Sequence, residues 1–65
     1  MAGEDVIARV TLGEQIEEVK REVRMRQKVY ARLVGEKKMT TAEATARTCA
    51  MAAVQRTLEK VRDAP

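Results

Sequence analysis

The stretch GEKKMTTAE, Gly35 to Glu43, holds a helix stop and a helix start side by side. Gly35 closes an amphipathic run and is the residue type that best tolerates the left-handed conformation just past a helix C-terminus. Thr40-Thr41-Ala42-Glu43 has the form of a capping box. In that motif the Thr40 hydroxyl accepts from the backbone N–H of Glu43, and the Glu43 carboxylate accepts from the N–H of Thr40. Met39, directly before the cap, is placed to cover the helix entrance. A loop of about four to five residues, Gly35 to Met39, falls in the range that joins neighbouring antiparallel helices.

Outward from this turn, both sides read as helix. Upstream, Thr11-Leu12-Gly13-Glu14 repeats the capping-box pattern. Apolar residues follow at Leu12, Ile16, Val19 and Val23, then at Tyr30, Leu33 and Val34. Steps of three and four mark one face of a helix, not a strand alternation. The one seam position filled by a charge is Arg26. Downstream, a second helix runs to about Arg62, with an expected inward face of Ala46, Ala50, Ala53, Val54, Thr57, Leu58 and Val61, and Met51 beside it. Pro65 lies beyond it.

The fold expected is all-α: an antiparallel helical hairpin of about residues 12–34 and 41–62, within a domain 11–65 preceded by an arm, 1–10. Val6, Ile7 and Val10 make that arm partly apolar, and it reads as irregular or as a short helix. Antiparallel partners have numbers that sum to a near-constant, taken as about 73, so that large residues meet small ones and the axes approach closely. That register sets Leu12 against Val61, Val19 against Val54 and Val23 against Ala50. It also sets Arg26 against Arg47, and Tyr30 against Glu43.

The chain has 65 residues and neither Phe nor Trp. Two helices of Val, Ala, Met and Leu bury little area for the residues they must order. Self-association into a four-helix bundle is therefore expected, the more so because Met25 and Val29 flank the first seam without a place in it. Basic residues outnumber acidic ones 13 to 10, a net charge of +3. The isoelectric point near 9.4 permits an anionic partner without requiring one.

His is absent and Cys49 is the single cysteine, so neither a Cys/His metal cluster nor an internal disulfide is expected. Among small apolar neighbours Cys49 reads as a buried hydrophobe in a reducing cytoplasm. No apolar run approaches the ~18 residues that span a bilayer, and the first ten residues resemble neither a secretory signal nor a myristoylation motif.

Catalysis finds no support: no phosphate loop, no nucleophile–base pair and no cofactor motif is present. Glu17, Glu18 and Glu22 lie three and four residues from Lys20, Arg21 and Arg26, the spacing of solvated helix ion pairs.

Two constellations stand out. The polar seam cluster is Arg26, Tyr30, Glu43 and Arg47. Two guanidiniums and a phenol can grip a phosphate or carboxylate, but local Glu22–Arg26 and Glu43–Arg47 pairs at i, i+4 already balance the charge, and that structural meaning is preferred. The second is the stripe Lys20, Arg24, Lys28 and Arg32, with Arg21 alongside. Like charges four apart are mildly unfavourable within a helix. Such a stripe is commonly a solubilising face, and it is also the best candidate here for meeting an acidic protein or a nucleic-acid backbone.

From Met25 onward the residue order resembles a group of small proteins encoded in phages and prophages of proteobacteria. The shared pattern is Met-Arg-x-Arg-Val-Tyr, then Gly-Lys-Met, Glu-Ala and a Met-rich helix ending in Leu. Here it stands as Met25-Arg26-Gln27-Lys28-Val29-Tyr30, Lys37-Lys38-Met39, Glu43-Ala44, Met51 and Thr57-Leu58. Two departures matter. Ala31 stands where the pattern has Pro, which lets the first helix continue. Lys37 stands where it has Gly, which is expected to leave the turn dependent on Gly35. The resemblance implies a phage origin and a helical hairpin, and it supplies no site.

Together these readings favour a non-enzymatic cytoplasmic protein without cofactor or metal. It would act as a homodimer that binds a host or phage protein and not a membrane. A nucleic-acid-binding helical dimer using the basic stripe is the alternative, and a binder of a small anionic ligand at the seam cluster is a weaker one.

Overall fold

A computed structural model describes residues 6–65; the expectation for residues 1–5 of the arm lies outside the described residues. Two long α-helices follow one another, α1 (Leu12–Gly35) and α2 (Thr41–Asp63), packed antiparallel as a hairpin. Both boundaries fall within a residue of those read from the sequence. Ahead of α1, residues 6–8 form a single helical turn, and Arg9 and Val10 donate to the carbonyls of Val6 and Ile7 at 3.2 Å.

The start of α1 is the capping box the sequence implies. Glu14 N–H donates to Thr11 Oγ1 at 3.1 Å, and Thr11 N–H donates to Glu14 Oε1 at 3.2 Å. At α2 only half of the box forms. Glu43 N–H donates to Thr40 Oγ1 at 3.1 Å, while the Glu43 carboxylate makes no return bond among the described residues.

The turn departs from expectation. Gly35 remains helical, and the left-handed residue is Lys37, at φ 61°. Lys38 N–H donates to the Leu33 carbonyl at 2.9 Å and Lys37 N–H to the Val34 carbonyl at 3.0 Å. These two bonds make a Schellman motif whose left-handed position is Lys37. The position that would best suit a glycine is filled by lysine. A lysine there carries the steric penalty that glycine avoids.

Packing follows the expected seam on α1. Ile16 is buried, at 1% exposure, and Leu12, Val19, Val23, Arg26, Tyr30, Leu33 and Val34 are half-buried. Helix α2 differs. Its half-buried residues are Ala44, Thr48, Met51, Gln55, Leu58 and Glu59, whereas Ala46, Ala50, Ala53, Val54, Thr57 and Val61 are exposed. Of the inward face expected, only Leu58 and its neighbour Met51 turn inward. The helix is rotated because Met51 and Leu58 hold far more apolar area than an alanine methyl, and the stems of Gln55 and Thr48 lie in line with them. An alanine facing water forfeits little.

Tyr30 shares a groove with Ala44 and Thr48, and Val34 with Thr41. Glu43 lies at the turn beside Val34, Lys38 and Met39 rather than against Tyr30.

The molecule measures 42 × 31 × 13 Å. The smallest extent is about the diameter of one helix with its side chains, roughly 10–12 Å. A layer one helix thick gives each helix a single neighbour, so Ile16 is the only buried residue among those described. The radius of gyration, 15.0 Å, exceeds the roughly 11 Å of a compact chain this long.

Candidate functional site

The polar seam is held by local bonds. Arg26 Nε donates to Glu22 Oε1 at 2.6 Å, and Arg26 Nη1 to the Tyr30 hydroxyl at 3.5 Å. All three residues lie one turn apart on α1, so helix geometry alone brings them together. The Glu22 hydrogen bond, and secondarily Tyr30, raise the Arg26 guanidinium pKa above its ordinary value. Arg26 thus has an ion-pair partner one turn back on its own helix.

Arg47 stands across from this pair. Glu22, Met25, Arg26, Val29, Tyr30 and Arg47 line one open groove of about 330 Å³, so Arg26 and Arg47 border the same cleft. The expected Glu43–Arg47 ion pair is absent: among the described residues Arg47 has no carboxylate within ion-pair distance, although Glu43 lies one turn before it on α2.

The basic stripe divides in two. Lys20 Nζ lies 3.6 Å from Glu17 Oε1, and Arg21 Nε 4.0 Å from Glu18 Oε2. Arg24, Lys28 and Arg32 are exposed and have no carboxylate partner among the described residues. At about 100° per residue these three occupy the outer edge of α1, turned away from α2. On α2, exposed Arg56 lies beside Cys49 and Ala52, and it was not among the cations singled out from the sequence. Its position follows only once the rotation of α2 is known.

The opposite side of the seam carries a second open groove, about 490 Å³, between Gln27, Tyr30, Ala31 and Val34 of α1 and Thr41, Ala44, Thr45, Thr48 and Cys49 of α2. Cys49, expected to be buried, is exposed on this side. The threonine column Thr41, Thr45, Thr48 was legible in the sequence as i, i+4, i+7 spacing. An inward alanine face, as expected from the sequence, gives that column no role.

At the far end of α2, Arg62 Nε donates to Asp63 Oδ1 at 2.9 Å. That bond raises the Arg62 pKa and lowers that of Asp63. Among the described residues there is no group of acidic or cysteine side chains placed to hold a metal, and no helix is long and apolar enough to cross a membrane. Searches of protein-family models, curated proteins and solved structures find no match to this chain.

Proposed function

We propose that the chain is a non-enzymatic binding protein of phage type that acts as a homodimer in the host cytoplasm and docks on an acidic surface of a host or phage protein. The observation that supports it is the outer edge of α1, where Arg24, Lys28 and Arg32 project without carboxylate partners among the described residues. Exposed cations on a rigid helix steer association with an opposite potential and lose little entropy when they meet it.

A protein target is favoured over nucleic acid by two features of the same edge. Glu17 and Glu18 neutralise Lys20 and Arg21, which shortens the run of free cations. Tyr30 is half-buried at the seam and so is withheld from base stacking. Arg26 is already bonded to Glu22, which weighs against a small anionic ligand there.

The test is capture from host lysate with and without nuclease. Expected is a protein band that survives nuclease and is lost with the double substitution Arg24→Glu, Lys28→Glu. Retention that disappears with nuclease, and falls steeply with salt, would assign the edge to nucleic acid instead.

A further inference from the structure

The hairpin has two broad faces, and they differ in charge. One carries Glu22, Arg26, Glu43 and Arg47, whose charges cancel, among the exposed apolar residues Val29, Val54 and Val61. Groove geometry ties its two halves together, since Val29 and Met25 of α1 flank the same cleft as Arg47 of α2. At about 100° per residue, Ala50, Val54 and Val61 continue along α2 from Arg47 on that side. The other face and the outer edge of α1 hold Lys20, Arg21, Arg24, Lys28, Arg32 and Arg56, which outnumber Glu17 and Glu59; Glu18, one turn before Glu22, borders the first face with its charge met by Arg21.

The exposed area is larger than that of a compact monomer of this mass, and the N-terminal arm contributes part of the surplus. A compact chain of 7.3 kDa exposes about 4,200 Å² by the size scaling of folded proteins. This chain exposes 5296 Å². The surplus is on the order of 1,000 Å², comparable to the ~800 Å² that one partner contributes to a standard interface. Residues 6–10 do not cover the face, because Val6 and Ile7 are themselves 63% and 74% exposed.

We propose that a second copy of this chain covers the neutral face, forming a two-fold dimer in which Val29, Ala50, Val54 and Val61 of each copy meet the same patch of the other. This deepens the homodimer reading above and rests on it. A two-fold interface must be self-complementary. The neutral apolar face satisfies that condition, and the cationic face does not, because two copies meeting there would set like charges together. Each Arg47 then lies over a surface that contains Glu22 and Glu43 of the other copy, which supplies the carboxylate it lacks among the described residues of its own chain. The stacked hairpins become a four-helix bundle, with the cationic outer edges of α1 free for the target.

Disulfide trapping tests the choice of face. In a Cys49→Ser background, Ala50→Cys or Val54→Cys places one thiol on the neutral face. The unmodified chain carries Cys49 on the other, and Ala52→Cys in the same background adds a second probe there. Mild oxidation is expected to convert the Ala50→Cys and Val54→Cys chains into covalent dimers, leaving Cys49 and Ala52→Cys largely monomeric. Trapping through Cys49 or Ala52→Cys in preference, or equal trapping at all four positions, overturns the proposal.

As a second readout, Val54→Glu is expected to weaken dimerisation at least tenfold by sedimentation, whereas Lys28→Glu leaves it unchanged. The reverse pattern overturns the proposal. Target capture by the unmodified chain reads the proposed function separately, so a failed dimer and a failed target are distinguishable.

Discussion

Helices α1 and α2 have nearly the same length, 24 and 23 residues, yet they hold their places differently. Helix α1 has one apolar stripe of large side chains, and it buries Ile16. Helix α2 buries nothing fully, and it offers two faces to choose between: Met51 and Leu58 on one, and Ala46, Ala50, Val54 and Val61 on the other. A stripe of large residues fixes the rotation of a helix, whereas alanines spread around it leave the choice to a few longer side chains. Helix α2 therefore serves one partner within the chain and has a second face to spare.

The sharpest way to break this comparison is to remove the anchor of α1. Ile16→Ala is expected to cost about 2–4 kcal/mol, by the usual penalty for emptying a fully buried aliphatic site. Urea denaturation followed by helicity checks it. Such a loss is a large part of the stability of any small domain.

On α2, Met51→Ala should cost about 1–2 kcal/mol, less because the side chain is only half-buried. Val54→Ala should weaken folding only at concentrations where the chain associates. If Val54→Ala costs as much as Met51→Ala in dilute solution, the rotation of α2 described above is wrong.

The caps give smaller effects. Thr11→Ala, which removes a complete capping box, is expected to cost about 1 kcal/mol; Thr40→Ala, with half a box, is expected to cost less. At the turn the sign reverses. Lys37→Gly should stabilise by up to about 1 kcal/mol, because Lys37 holds a left-handed conformation. Gly35→Ala should also stabilise, by roughly 0.5–1 kcal/mol, since Gly35 is helical and an added methyl meets nothing within 4 Å. Had Gly35 been the left-handed residue, Gly35→Ala would destabilise, so thermal melts of this pair decide the turn.

The smallest effect belongs to Asp63. Its pKa is lowered by Arg62, so the contribution of this pair is present above the ordinary carboxylate range and is lost as pH falls through the lowered value. Adjacent exposed residues find each other in the unfolded chain as well. Asp63→Asn should therefore shift a thermal melt barely, and only above about pH 4.

Much of this architecture was legible in the sequence, for identifiable reasons. Thr11 with Glu14, and Thr40 with Glu43, mark helix starts because capping chemistry is local. Ile16, Val19 and Val23 mark a seam because period and size agree. Arg26 finds Glu22 because i, i+4 neighbours meet on any helix.

What was not legible depended on tertiary choice. The rotation of α2 follows from its packing on α1, and with it go the exposure of Cys49 and the position of Arg56. The left-handed position at Lys37 was obscured because Gly35, two residues earlier, was the more obvious residue for it.

The central claim is that one hairpin leaves its fold unfinished and a second copy completes it. Sedimentation equilibrium, paired with helicity over a dilution series, tests it most directly. Expected is twice the 7.3 kDa chain mass at high concentration, with mass and helicity falling together on dilution. A single-chain mass at every concentration, with helicity unchanged by dilution, would contradict it.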